Sequence, residues 1–143
     1  MVNKFRKRYH KAIDIITALM ILLFVYTGVS KLISRQSFFN QIKDAPYIGS
    51  QALWLSWIVP IAELIIATLL LFKSSRLVGY YAFTLSMVCF TIYISLILSG
   101  DQPLPCSCGG VIQKMNWQQH LVFNCCYILL AVAAIILHQK IKK

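Results

Sequence analysis

Cys106 and Cys108 stand one residue apart in the segment Pro-Cys-Ser-Cys-Gly-Gly at 105–110, inside a chain that is otherwise strongly apolar. Two fully extended residues span about 7 Å, whereas the Cα atoms of a disulfide lie roughly 4.4–6.8 Å apart. The pair therefore closes only where the backbone bends, and Pro105 before it and Gly109-Gly110 after it favour a bend. A ring so tight is strained, and strained, exposed disulfides are the easily reduced kind that serve exchange or regulation. The alternative is an inert structural bridge, although one that closes so short a loop removes little chain entropy.

Other residues extend this chemistry. His120 and Asn124 are spaced i, i+4 and share one helical face; the imidazole can favour a nearby thiolate or exchange a proton with a quinone, or simply bond a carbonyl. Trp117, just before them, suits either an interfacial aromatic belt or stacking on a quinone ring. Cys106, Cys108, Met115 and His120 would also offer soft ligands to copper or zinc. The one-residue spacing is shorter than the C-x₂₋₄-C of structural zinc, and no second loop pair completes the set, so no metal is assigned. Glu63 sits in the middle of an apolar run, where a carboxylate is costly unless paired or protonated, and Lys31 is the cation able to reach it. That acid is either functional or a polar helix-packing contact. Cys89, Cys125 and Cys126 lie in apolar runs and read as small buried hydrophobes, with Cys125 or Cys126 relaying electrons as the alternative.

These residues need elements to hold them, and composition says which. The chain has 143 residues, 59% of them hydrophobic and only 13% charged, with a mean hydropathy of +0.70; soluble proteins carry about 25% charged residues. Four apolar runs are long enough to cross a bilayer: Ala12 to Ser34, Leu53 to Phe72, Leu77 to Ser99, and His120 to His138. The first run is too long for a signal-peptide core and no A-x-A-like site follows it, so it reads as a retained helix. The fold class expected is all-α, a single membrane domain over residues 1–143 built as a four-helix bundle. Between the first two runs, Phe38, Phe39, Ile42 and Tyr47 alternate with polar residues, which predicts a segment lying along the interface or capping the bundle.

The net charge of +10 is not spread as a nucleic-acid surface would be. Lys4, Arg6, Lys7, Arg8, Lys11, Lys73, Arg76, Lys140, Lys142 and Lys143, ten of the fourteen basic residues, fall in the three segments that four spans put on one side. The positive-inside rule makes that side the cytoplasm, so both termini are expected there, with anionic lipid as their partner. The loop holding Cys106 and Cys108 then faces an oxidising compartment, where cysteine pairs are kept for disulfide chemistry.

The segments Gly-Val-Ser-Lys-Leu at 28–32 and Pro-Ile-Ala-Glu-Leu at 60–64 resemble those of DoxX-like membrane proteins. The Cys-x-Cys loop leading into Trp117-x-x-His120-x-x-x-Asn124 resembles the MauE branch, named for methylamine utilisation. This resemblance covers nearly the whole chain and implies a multi-pass protein of the bacterial inner membrane, with Cys106 and Cys108 as the family's cysteine pair. It also implies a periplasmic thioredoxin-like or disulfide-bearing partner, with quinone as the candidate cofactor. The reading that results is thiol–disulfide exchange: Cys106, Cys108 and His120 act, while Glu63, Lys31, Trp117 and Asn124 serve a quinone. The runner-up is a non-catalytic subunit that anchors or assembles a larger membrane complex. The charge placement predicts that membrane-impermeant thiol reagents label reduced Cys106 and Cys108 in intact spheroplasts, while both termini stay protected from added protease. Cleavage at the basic ends would reverse the orientation.

Overall fold

The computed structural model describes residues 2–99 and 117–142; Cys106, Cys108 and the rest of the segment between Ser99 and Trp117 lie outside the described residues. Five α-helices form: α1 (Val2–Ile33), α2 (Arg35–Lys43), α3 (Ala52–Leu71), α4 (Arg76–Ser99) and α5 (Trp117–Lys142). Four of them, all but α2, are long and apolar enough to cross a membrane. Among the described residues there is no strand, as a bilayer requires of a chain that must satisfy its backbone within each spanning segment.

α1 begins ten residues ahead of the apolar run, because Lys and Arg are good helix formers and the backbone does not stop at the hydrocarbon edge. At its other end α1 bends rather than stops. Ser34 N–H still donates to the Ser30 carbonyl and the Ser34 carbonyl accepts from Phe38 N–H, each at 3.0 Å, so α2 departs directly from the end of α1. α2 is the amphipathic segment, and it buries Phe38 and Ile42, one turn apart, against Ala52 of α3. The return from α2 to α3 is tight. Tyr47 takes a positive φ of 72°, and a Cβ on Gly49 would lie 2.5 Å from the Lys43 carbonyl oxygen, which only glycine tolerates.

Packing divides the bundle into two unlike halves. Toward the chain termini the core is filled by Met20, Phe24, Leu70, Tyr80, Phe83, Ala131 and Ala134, with the Phe24 and Phe83 rings 4.3 Å apart. There Thr17 and Tyr80 hydroxyls share a buried hydrogen bond of 2.6 Å. Arg76 ties α4 to Asp14 of α1 at 2.9 Å and donates to the Leu70 carbonyl at 3.2 Å, sealing the α3–α4 hairpin. Lipid tails supply no hydrophobic force between helices, so association rests on close approach at small residues. Gly79 meets Leu70 in this way, and Gly28 meets the Pro60 carbonyl and Leu64.

The Gly28 contact sets the register of α1 on α3. Side chains on a helix lean toward its N-terminus, so on these antiparallel helices Lys31 and Glu63 lean toward each other. They meet at 2.5 Å, with side chains only 8% and 15% exposed. The two short segments singled out by sequence therefore form one structural unit. Removing one member of a buried pair strands the other, at about 3–5 kcal/mol, whereas replacing both with apolar groups of similar volume is near neutral. Glu63→Leu is accordingly expected to lower the midpoint of unfolding in detergent, and Lys31→Met with Glu63→Leu to restore it. A double variant as unstable as the single one would show that the pair is not the link between α1 and α3.

Candidate functional site

The half of the bundle that faces the loop between α4 and α5 is hollow. A cavity of about 450 Å³ lies there, walled by all five helices, a volume within the usual range for small-molecule sites. Its lining is chiefly apolar and includes Phe24, Phe38, Phe90, Tyr93 and Phe123. Thr27, Gln41 and Ser86 also line it, and against these walls stand the four polar side chains singled out by sequence: Lys31 at the end of α1, Glu63 past Pro60 on α3, and His120 and Asn124 in the opening turns of α5.

Each is held by its element. Lys31 keeps its Nζ 5.7 Å from the Phe38 ring as well as on Glu63, so α2 covers the ion pair. His120 sits between Phe90 of α4, with ring centroids 5.8 Å apart, and Phe123 on its own helix at 6.5 Å. Asn124 follows one turn later on the same face and is 2% exposed, against 8% for His120. The charge of Lys31 and the amide of Asn124 both lie near enough to act on the imidazole, although among the described residues neither ring nitrogen has a well-formed hydrogen bond. Among the described residues Asn124 Nδ2 and Glu63 Oε2 are likewise buried without a well-formed hydrogen bond, with the Thr27 hydroxyl close to the Glu63 carboxylate. Unpaired buried polar atoms are uncommon and usually mark a role beyond packing.

Of the residues expected from sequence, Lys31, Glu63, His120 and Asn124 come together around one cavity. Trp117 opens α5 directly ahead of them, and its ring, like Cys106 and Cys108, lies outside the described residues. Cys89, Cys125 and Cys126 are exposed, not buried; a helix apolar all round carries no pattern that tells its inner face from its outer one. Cys89 also lines the cavity, as do Thr27 and Ser86, which sequence reasoning passed over. Their only signal is a small polar side chain within an apolar run. Among the described residues no three His, Cys, Asp or Glu side chains converge as a metal site would need.

No curated protein and no solved structure matches the chain. A family profile does match, over residues 9–137, a span that includes Lys31, Glu63, His120 and Asn124. Its description is methylamine utilisation protein MauE, and this multi-pass membrane protein therefore belongs to the MauE family.

Proposed function

We propose that this MauE-family protein exchanges thiols and disulfides through Cys106 and Cys108 with a periplasmic thioredoxin-like or disulfide-bearing protein, from the inner membrane of a bacterium. The observation that carries the reading is the cavity: a buried polar cluster of Lys31, Glu63, His120 and Asn124, at the end of the bundle where the cysteine loop leaves α4 and rejoins at α5. The crowding of basic residues at the opposite end supports a loop that faces the oxidising side.

The exchange balances within itself. A thiolate of the pair attacks one sulfur of the partner's disulfide and expels the other as a thiolate, giving a mixed disulfide. The second cysteine then attacks its neighbour's sulfur, so the loop leaves as a disulfide and the partner as a dithiol. Run in reverse, the same two steps oxidise the partner. Either way two electrons and two protons cross, and a quinone/quinol couple in the bilayer is a two-electron, two-proton carrier of matching capacity. In the family's named setting the partner would be an enzyme of methylamine utilisation, or its maturation factor, that carries disulfides.

Replacing the resolving cysteine traps the mixed disulfide. One of Cys106→Ser and Cys108→Ser is expected to give a higher-mass band on a non-reducing gel that thiol reductant abolishes, and His120→Ala to slow exchange without ending it. If neither single variant forms an adduct and the double variant keeps full activity, the exchange reading falls and the anchoring subunit takes its place.

A further inference from the structure

The tight return from α2 to α3 holds one residue under strain. Ile48 N–H donates to the Pro46 carbonyl at 3.0 Å, and Tyr47 between them takes a φ of 72°. Residues 46–48 therefore form a γ-turn in its positive-φ form, which is rare and strained. Glycine adopts that φ without penalty, whereas a side chain with a Cβ crowds its own carbonyl. Among the described residues Tyr47 is the one non-glycine residue with a positive φ. Nothing in the bundle offsets the strain. Tyr47 is 75% exposed, and its side chain makes no hydrogen bond, ion pair or ring contact with any described residue. The turn around it is fixed: Ala45 is buried and its N–H donates to the Ile42 carbonyl at 3.1 Å, while Gly49 is pressed onto the Lys43 carbonyl. A large ring is thus held out in one direction.

Its surroundings say what the ring meets. Lys43, Asp44, Ser50 and Gln51 beside it are exposed, and the exposed face of α2 presents Gln36, Ser37 and Asn40, all uncharged. Anchoring among lipid head groups needs depth and not direction, and Trp54 of α3, 71% exposed, supplies it from an ordinary helical position. A rigid tyrosine beside adaptable amides and hydroxyls is instead the composition with which protein surfaces bind other proteins, and tyrosine is enriched among the residues that dominate such binding. The position fits as well. Ala45 and Ile48 line the cavity together with Ile97, near the end of α4, and His120, near the start of α5. The turn therefore stands at the end of the bundle where α4 finishes and α5 begins.

We infer that Tyr47 and the exposed face of α2 form the docking surface for the water-soluble protein that exchanges disulfides with this chain, and that this protein offers the ring an apolar, uncharged recess beside its reactive cysteine pair. The inference rests on the exchange reading above and adds the surface, its anchor and the chemistry of the face it meets. The strained turn sets the direction of the ring before the encounter, so less freedom is lost on binding.

The test is made in cells that express the full chain as the Cys106→Ser or Cys108→Ser variant, with the photo-crosslinking residue p-benzoylphenylalanine at position 47 or 54. Products are identified by mass spectrometry before and after thiol reductant. Tyr47→p-benzoylphenylalanine is expected to crosslink the same protein that the remaining cysteine holds, in a band that survives reductant, and Trp54→p-benzoylphenylalanine to crosslink lipid. Tyr47→Gly relieves the strain, so its midpoint of unfolding in detergent should be no lower than the parent's, while the yield of mixed disulfide falls about tenfold. Tyr47→Phe, which keeps the ring, should lose far less, and Asn40→Glu, a charge placed on the uncharged face, should lower the yield severalfold. Lipid alone, or a second copy of this chain, crosslinked at position 47 beside an intact mixed disulfide overturns the surface and leaves the exchange reading. An adduct undiminished in Tyr47→Gly also overturns the surface. A crosslink from position 47 to one soluble protein, weakened by Asn40→Glu but with no cysteine adduct in either variant, sinks the exchange reading and leaves the surface standing. Neither adduct nor crosslink sinks both.

Discussion

A charge within hydrocarbon has to be accompanied, and the Lys31–Glu63 pair is where this chain meets that demand. The pair also explains the surrounding sequence. Gly28, three residues before the lysine, lets α1 lie against the Pro60 carbonyl. Pro60 lacks the N–H that α3 would otherwise give to Ser56, and Ser56, fully buried, turns its hydroxyl to the Leu53 carbonyl at 2.9 Å. Position, register and partner are thus set together on two helices. The contact does not fill the space beside it, so a neutralised polar floor is left next to an apolar hollow.

The two halves of the bundle divide the labour. Near the termini, aromatic and aliphatic side chains interlock, and Arg76, Asp14, Thr17 and Tyr80 cross-link α1 with α4. At the loop end α2 takes the place of tight helix contacts: it leans on α3 through Phe38 and Ile42 and covers Lys31 from above. A rigid base with a covered hollow above it is the arrangement expected where a binding site has to be kept open at modest cost in stability.

Much of this was legible in the sequence. Four apolar runs gave four helices because length and hydropathy alone govern insertion, and Lys31 and Glu63 were legible as partners because the bilayer leaves so few alternatives. Phe38 and Ile42, one turn apart among polar residues, marked the inner face of α2. The hollow was not legible, since it belongs to the space between helices and to no single run of residues. Nor was the outward placement of Cys89, Cys125 and Cys126: where lipid and bundle interior are equally apolar, periodicity carries no sign of which side a residue takes. His120 and Asn124 were visible as a shared face, but their burial against the cavity appears only once their neighbours are in place.

The helices also differ in length, and this has a consequence for the membrane itself. α1 has 32 residues and α3 has 20, about 48 Å and 30 Å at 1.5 Å per residue. α1 and α5 have turns to spare, so they can tilt or slide their polar ends through the head groups when lipid thickness changes. α3 is bounded by Gln51 at one end and by Phe72 and Lys73 at the other, and it has no such reserve. In a thicker bilayer the lipid has to compress around α3, the same helix that carries Ile58 and Glu63. Hydrophobic mismatch at one short helix, at a fraction of a kcal/mol per ångström, thereby couples the thickness of the surrounding lipid to the strain on the wall of the cavity.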